Sequence, residues 1–527
     1  MNSPARLLTF KNSRQEEGPA RAAVQKLRPS WSDRLQFLAL RPRNLLLLLV
    51  SLSYRSFLWC FQLLAPRYLS WSSQIRAKQA FYRAVRRVPA YAEFVEARGM
   101  QADGPPETDK DSYVRAYPTE RRCVGGRIPS TRVMIDESSG STGIPYNWVR
   151  GARERSEAHR FISYFATYCF GEAPFVTINA FSMGAWATGL NMGIALQRNG
   201  IVKNTGPDIE KILNTLSFFG PTKPYLICGY PPFLKQLLDV AESRDFPFRD
   251  FQLYALLGGE GMSEGLRDYL LRRFEKVYSG YGATDLEIGI AGETPVTVAI
   301  RRLAREDENV KTALFGDDSR LPMVFQYNPL MHYIEVNDDR EVMFTITRSS
   351  LLSPRIRYNI HDEGGVARYD QMARSLAKVG HDILDLHDNA GPLMRLPFLW
   401  VYGRSDYTIS VMGANIYPED LESCLYADPE LARVTRSFCQ SLLESPDGDV
   451  RPCFYFEIET TPSRELKARF SKSILKHLLN LNADFREAWQ EYPEILVPEI
   501  RLHPVGEGPF AADTGRIKQT RILRSKE

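Results

Sequence analysis

The stretch Ile135-Asp136-Glu137-Ser138-Ser139-Gly140-Ser141-Thr142-Gly143-Ile144-Pro145 packs hydroxyls and glycines directly behind a strand-like run. So many small residues after a strand leave backbone N–H groups free to converge on a phosphate, with Ser and Thr side chains as further donors or magnesium ligands. It is not a Walker loop, because G-x-x-x-x-G-K-[ST] is absent and Ile144 follows the last glycine. Taken alone, the segment also fits an ordinary flexible loop.

Working outward, short β-branched or aromatic runs at 132–135, 175–178, 225–228, 253–257 and 276–278 alternate with helical stretches. That alternation predicts a parallel α/β architecture, a layered sheet with helices on its faces. Two of the runs end in glycines, Leu257-Gly258-Gly259-Glu260 and Tyr278-Ser279-Gly280-Tyr281-Gly282-Ala283-Thr284-Asp285. Ligands of open α/β sheets sit at strand C-termini, where glycines let a planar ring approach the backbone. Tyr281 can stack on such a ring, and Asp285 or Glu287 can hold a metal. Each motif by itself is also a plain strand-to-helix turn.

Further on, His361-Asp362-Glu363-Gly364 sets a carboxylate at a strand end, where it can accept from two ribose hydroxyls or simply face solvent in a turn. His361 beside it reads as a polar turn residue rather than a base. Gly403-Arg404-Ser405-Asp406 and Gly413-Ala414-Asn415-Ile416-Tyr417-Pro418 bracket a change of composition after Tyr402. Glycines there serve a hinge or a plain turn. Segments at 411–417, 418–426, 453–458 and 464–480 predict a small α+β domain beyond.

With 527 residues, 44% hydrophobic, 25% charged and 11% aromatic, the chain is neither disordered nor fibrous. At ~150 residues per domain it holds two or three domains. The net charge is +4, but residues 1–76 carry twelve basic and three acidic side chains, so the remainder is slightly negative. A nucleic-acid binder is disfavoured, and an anionic surface would meet the N-terminus. Seven dispersed cysteines without a C-x-x-C pair argue against a disulfide framework or a structural zinc, and predict a reducing, cytoplasmic home.

Residues 1–30 read as a polar tail. The apolar run 45–50, after Arg41 and Arg43 and before Phe57-Leu58-Trp59-Cys60-Phe61, is interrupted by Arg55. It falls short of the ~20 residues of a membrane-spanning helix and lies too far from residue 1 for a secretory signal. It fits a helix packed on the main body, or an interfacial helix at anionic lipid on the inner face of a membrane. A helical pattern covers 73–99, and Pro105-Pro106 precedes a short capped helix opening at 107–111.

In order and spacing these segments resemble the adenylate-forming superfamily of acyl-CoA synthetases, most closely its phenylacetate-CoA ligase branch, over about residues 77–527. Phe81-Tyr82-Arg83, Val88-Pro89-Ala90-Tyr91, Thr108-Asp109-Lys110-Asp111, Asn204-Thr205-Gly206-Pro207 and Cys228-Gly229-Tyr230-Pro231-Pro232-Phe233 add to the likeness. The resemblance implies a basic extension at 1–76, a large layered α/β domain at 77–402 and a small mobile α+β domain at 403–527.

It also implies ATP, Mg²⁺ and coenzyme A as cofactors and a small carboxylic acid, aromatic among the candidates, as substrate. The acid would become an acyl-adenylate and then a thioester. Acceptors other than coenzyme A (an amine, a hydroxyl, a protein thiol) stay open. So do a nucleotide-binding scaffold that has lost adenylation, a peripheral membrane contact through the N-terminus, and a homodimer.

By the same resemblance Ser138, Ser139, Gly140, Ser141, Thr142 and Gly143 form the phosphate loop, with Thr142 among the catalytic groups. Gly258, Gly259, Glu260, Tyr281 and Gly282 line the adenine, and Thr284 and Asp285 sit near magnesium and the α-phosphate. Asp362 and Arg404 bind the ribose, and Asp406 is the hinge. Trp186 and Tyr230 line the acid pocket, although core packing suits Trp186 as well.

Three positions depart from the family pattern. Ile144 replaces a common lysine. Asp285 is one methylene shorter than the usual glutamate, with Glu287 close by as a substitute metal ligand. Arg516 occupies the place of the lysine that bridges substrate and α-phosphate, with Lys518 two residues later. Arginine keeps the charge but not the geometry of an ammonium.

Overall fold

The computed structural model describes residues 28–511 except 51, 102, 139–145, 319, 388–391, 405–407 and 446–448. The chain begins with four helices, α1 (Trp31–Val50), α2 (Tyr54–Leu63), α3 (Pro66–Arg87) and α4 (Pro89–Arg98). Pro66 and Pro89 each occupy a first helical turn, where the missing N–H costs nothing. The single helical stretch expected over 73–99 is therefore two helices, because Pro89 cannot continue the hydrogen-bond ladder of α3. Asp33 accepts from the Ser30 hydroxyl at 2.8 Å and pairs with Lys78 at 3.3 Å, tying α1 to α3. Phe57 and Phe61 of α2 pack with Leu69, Phe161, Met394 and Leu396 in a cluster of their own.

The strands are β1 (Val133–Ser138), β2 (Tyr146–Gly151), β3 (Phe175–Asn179), β4 (Gly200–Asn204), β5 (Tyr225–Gly229), β6 (Leu253–Gly258), β7 (Lys276–Ala283), β8 (Glu287–Gly292) and β9 (Met323–Tyr327). They continue with β10 (His332–Val336), β11 (Glu341–Ile346), β12 (Tyr358–Ala367), β13 (Phe398–Arg404), β14 (Ile409–Val411), β15 (Ala414–Ile416), β16 (Thr435–Glu444), β17 (Val450–Ile458) and β18 (Glu499–Pro504). Between β2 and β3 runs α5 (Ala152–Phe170).

Eleven strands form one sheet in the order β10-β11-β12-β13-β9-β8-β7-β6-β5-β3-β4. Every residue of β3, β5 and β6 is buried, as expected for strands covered on both faces.

Two expectations need correction. Within this sheet only β4, β3, β5, β6 and β7 run parallel, and the pairs from β7–β8 through β9, β13, β12, β11 and β10 are antiparallel, so the sheet is mixed. The run at 132–135 does not join it. It belongs to β1, which pairs antiparallel with β2 in a separate hairpin. Ile135 is 50% exposed, so this strand lacks the two-sided burial of the central ones.

Beneath the sheet edge Arg267 forms ion pairs with Glu264 at 3.0 Å and Glu293 at 2.5 Å, and Arg301 reaches Glu264 at 2.6 Å. Glu293 also accepts from the Ser279 N–H at 2.8 Å, which locks β7.

After β13 the chain builds the β14–β15 hairpin and a three-stranded sheet, β16-β17-β18, packed with helices Pro418–Tyr426 and Arg464–Leu481. Among the described residues no helix is long and apolar enough to cross a membrane, and all seven cysteines are free and buried.

Candidate functional site

A cavity of about 1840 Å³ opens at the C-terminal edge of β6 and β7 and is closed over by the β14–β15 hairpin and the C-terminal sheet. That is above the ~300–1,000 Å³ of a single small-ligand pocket, so it has room for more than one small molecule. Gly258, Gly259 and Glu260 lie on its wall at the end of β6, Tyr281, Gly282 and Thr284 at β7, Asp362 on β12 and Arg404 on β13.

Tyr281 donates its hydroxyl hydrogen to Asp362 Oδ2 at 2.5 Å. Its ring stacks on Phe344 with centroids 6.0 Å apart. Asp362 and Arg404 are direct partners in the β12–β13 register, so the expected ribose pair is a cross-strand pair. Gly282 sits where the β7–β8 register shifts, and a Cβ there would lie 2.8 Å from the Glu287 carbonyl. Gly259 has φ +88, and a Cβ would lie 2.6 Å from the Tyr230 ring.

Asp285 is enclosed rather than open. Trp148 Nε1–H donates to Oδ1 at 2.9 Å, the Tyr358 hydroxyl to Oδ2 at 3.1 Å, and Lys110 Nζ stands 3.5 Å from Oδ2. Burial raises this carboxyl, but Lys110 and the donated hydrogen bonds outweigh it and hold it below the ordinary range. Burial likewise opposes the Lys110 charge, and Asp285 overcomes it, leaving the ammonium above its usual value.

Sequence reasoning missed Lys110, which it read only as part of a capped turn. Asp109 does cap that turn, accepting from the Ser112 N–H at 2.6 Å. The turn is aimed by β12: the Thr108 N–H donates to the Arg357 carbonyl at 3.0 Å, and the Asn359 N–H to the Thr108 carbonyl at 2.8 Å. Lys110 Nζ also lies 5.4 Å from the centre of the Tyr146 ring, at the start of β2.

Glu287 is a correction. It points away from the cavity, into a buried pair with Arg348 and a 2.5 Å contact with His332. Arg348 and His332 hold its carboxyl down at about 2 despite burial. A partnered arginine leaves no room for the metal role expected of it.

Among the described residues no cluster of three His, Cys, Asp or Glu side chains stands ready for a metal. Both Asp285 oxygens already accept hydrogen bonds, so this carboxylate is not an open metal ligand. An ion bound to a triphosphate would arrive as part of that substrate.

Phe161, Ile162 and Phe165 of α5, with Phe181, Trp186, Met192 and Ile288, form an apolar stretch of wall. Trp186 borders the cavity there. Tyr230 is buried against Phe181 at 5.3 Å and wedged between Gly259 and Gly413.

The C-terminal elements reach across to this wall. Ser182 donates to Glu491 Oε2 at 2.5 Å, Ser263 to Glu444 at 2.6 Å, and the Met412 N–H to Glu260 Oε2 at 3.2 Å. Lys235 pairs with Asp449 at 2.9 Å. Burial pushes the Glu260 carboxyl up to about 8 in spite of the Met412 hydrogen bond.

Ser138 is buried at the end of β1, beside the cavity and opposite Tyr146. The remaining expected residues, Ser139, Gly140, Ser141, Thr142, Gly143, Asp406, Arg516 and Lys518, lie outside the described residues.

No protein-family model matches the chain, and no curated protein does. Among solved structures it is similar to 2-hydroxyisobutyryl-CoA ligase in complex with 2-HIB-AMP and CoA in the thioesterification state. The TM-score is 0.60 at 14% identity, over 88% of this chain and 91% of that one. Against the same ligase with 2-HIB-AMP in the postadenylation state the TM-score is 0.50 over the same shares. The mixed α/β fold is thus that of this ligase, and the chain overlays its thioesterification-state structure more fully than its postadenylation-state one.

Proposed function

We propose that the protein activates a carboxylic acid with ATP and passes the acyl group to coenzyme A. The observation carrying this reading is that the Tyr281–Asp362–Arg404 group and the Lys110–Asp285 pair face one cavity at the sheet's C-terminal edge. A carboxylate is a poor electrophile. Its oxygen attacks the α-phosphorus of ATP, the bond to the leaving pyrophosphate breaks, and the acyl-adenylate carries a far better leaving group. The coenzyme A thiolate then attacks the acyl carbon and expels AMP.

In this reading Asp362 and Arg404 take the ribose, Gly258–Glu260 and Tyr281–Gly282 the adenine, and residues 138–143 the phosphates. Negative charge develops around phosphorus, and Lys110 supplies a fixed positive charge beside it. Residues 403–527 act as the small domain, turning about Asp406 between the half-reactions. The apolar wall of Phe165, Phe181 and Trp186 favours an aryl or otherwise hydrophobic acid without a second charge, in keeping with the phenylacetate-CoA ligase branch. Seven free cysteines favour a reducing, cytoplasmic compartment.

Acid-dependent pyrophosphate release across a panel of aryl and aliphatic acids tests the first step, and product analysis with and without coenzyme A tests the second. ATP binding without pyrophosphate release for any acid would favour a nucleotide-binding scaffold.

A further inference from the structure

The N-terminal helices play no part in that chemistry, yet they expose several large apolar side chains. Trp31, Leu35 and Leu38 are 78%, 63% and 58% exposed and follow one another at helical spacing on α1. On α2, Trp59 and Leu63 are each 59% exposed and share a stripe with Arg55, while Phe57 and Phe61 on the opposite side are buried. Large exposed apolar side chains gathered in this way mark an interaction surface rather than chance exposure.

The charge beside them is positive. Arg34, Arg55 and Arg67 are exposed. Arg55 and Arg67 meet only exposed or distant partners, Glu172 at 3.2 Å and Asp370 at 3.8 Å, and such surface pairs are weak. Asp33, the one acidic residue of α1, is buried and held by Ser30 and Lys78. Along α1 the sequence continues as Arg41, Arg43 and the apolar run 45–50.

We propose that α1 and α2 form a docking surface for an anionic lipid bilayer, lying in its interface with Trp31 and Trp59 among the headgroups. Tryptophan and leucine on one side with arginines flanking them is the composition of interfacial helices. A second copy of the chain is a poorer occupant, because two such positive faces would repel each other. The inner face of α2 is fixed to the body: Phe57 packs 6.3 Å from Phe161, and Phe161 also lines the cavity. Only α2 and α5 would then separate lipid from the apolar end of the cavity.

Cosedimentation of the full chain with phosphatidylcholine vesicles, with and without phosphatidylglycerol, tests the proposal. Binding is expected only when the anionic lipid is present. It should weaken by about fivefold for each of Arg34→Gln and Arg55→Gln, and be lost in Trp59→Glu/Leu63→Glu. These substitutions lie on the outer surface, so melting temperature and pyrophosphate release without vesicles should match the parent. No sedimentation with anionic vesicles, or sedimentation indifferent to these changes, would overturn the proposal. So would a dimer that the Trp59→Glu/Leu63→Glu change dissociates, which would assign the face to a second copy.

Discussion

The Lys110 ammonium stands 3.5 Å from the Asp285 carboxylate, although one comes from an N-terminal turn and the other from the end of β7. The pair puts a fixed cation on the wall of the cavity. Lys110→Met should lower acid-dependent pyrophosphate release on the order of 10²-fold, the size of effect expected for one preorganised electrostatic group. Melting curves should show the variant folded. A rate near the parent's would remove Lys110 from the chemistry.

Tyr281→Phe keeps the stack on Phe344 and deletes only the hydrogen bond to Asp362. A bond to a charged acceptor contributes about 1.5–3 kcal/mol. Titration calorimetry should therefore find ATP binding weakened by about tenfold or more. An unchanged Kd would separate Asp362 from nucleotide recognition.

Glu287→Gln should act on stability and not on nucleotide binding. The substitution takes the nearest counter-charge from the buried Arg348 and leaves Glu157 at 3.8 Å, a loss of up to about 3–5 kcal/mol. Because the folded-state pKa of Glu287 is depressed to about 2 from an ordinary 4.5, its stabilisation is complete above about 4.5 and is lost as pH falls toward 2. The parent should thus lose its advantage over the variant as the solution is acidified. ATP affinity of the folded variant should be unaltered.

For Glu260 the sign is opposite. Its folded-state pKa is raised to about 8, so between about 4.5 and 8 the folded chain binds more protons than the unfolded one and stability declines as pH rises. Glu260→Gln is neutral throughout and can still accept from Met412. Its melting temperature should gain on the parent's from pH 5 to pH 8, and parallel curves would contradict this.

The parallel half of the sheet was legible in the sequence because strands buried on both faces are continuous apolar runs: 253–257 became Leu253–Gly258 and 225–228 became Tyr225–Gly229. The helix at 464–480 emerged as Arg464–Leu481, with Ser463 capping it through the Leu466 N–H. The antiparallel half was not legible, since an apolar run does not name its partner strand. Tyr281 and Asp362 stood out because glycines and strand ends mark them locally, Arg404 through the family resemblance alone, and the structure puts all three on one cavity wall. Lys110 and Glu287 were misjudged because their roles depend on Asp285, Arg348 and His332, which only the tertiary fold brings near. Proximity in sequence to Asp285 made Glu287 look like its substitute, yet the chain carries it past the cavity into the sheet's interior.

The Tyr230 ring is approached along one edge by both Gly259 and Gly413, and neither position has room for a methyl group beside it. If the C-terminal elements swivel as proposed, Gly413 has to slide past that tyrosine, which would then work as a bearing. Friction there would be governed by fit and not by charge, so under the proposed function a single alanine at Gly413 would throttle turnover through the Tyr230 contact, with both substrates still able to bind.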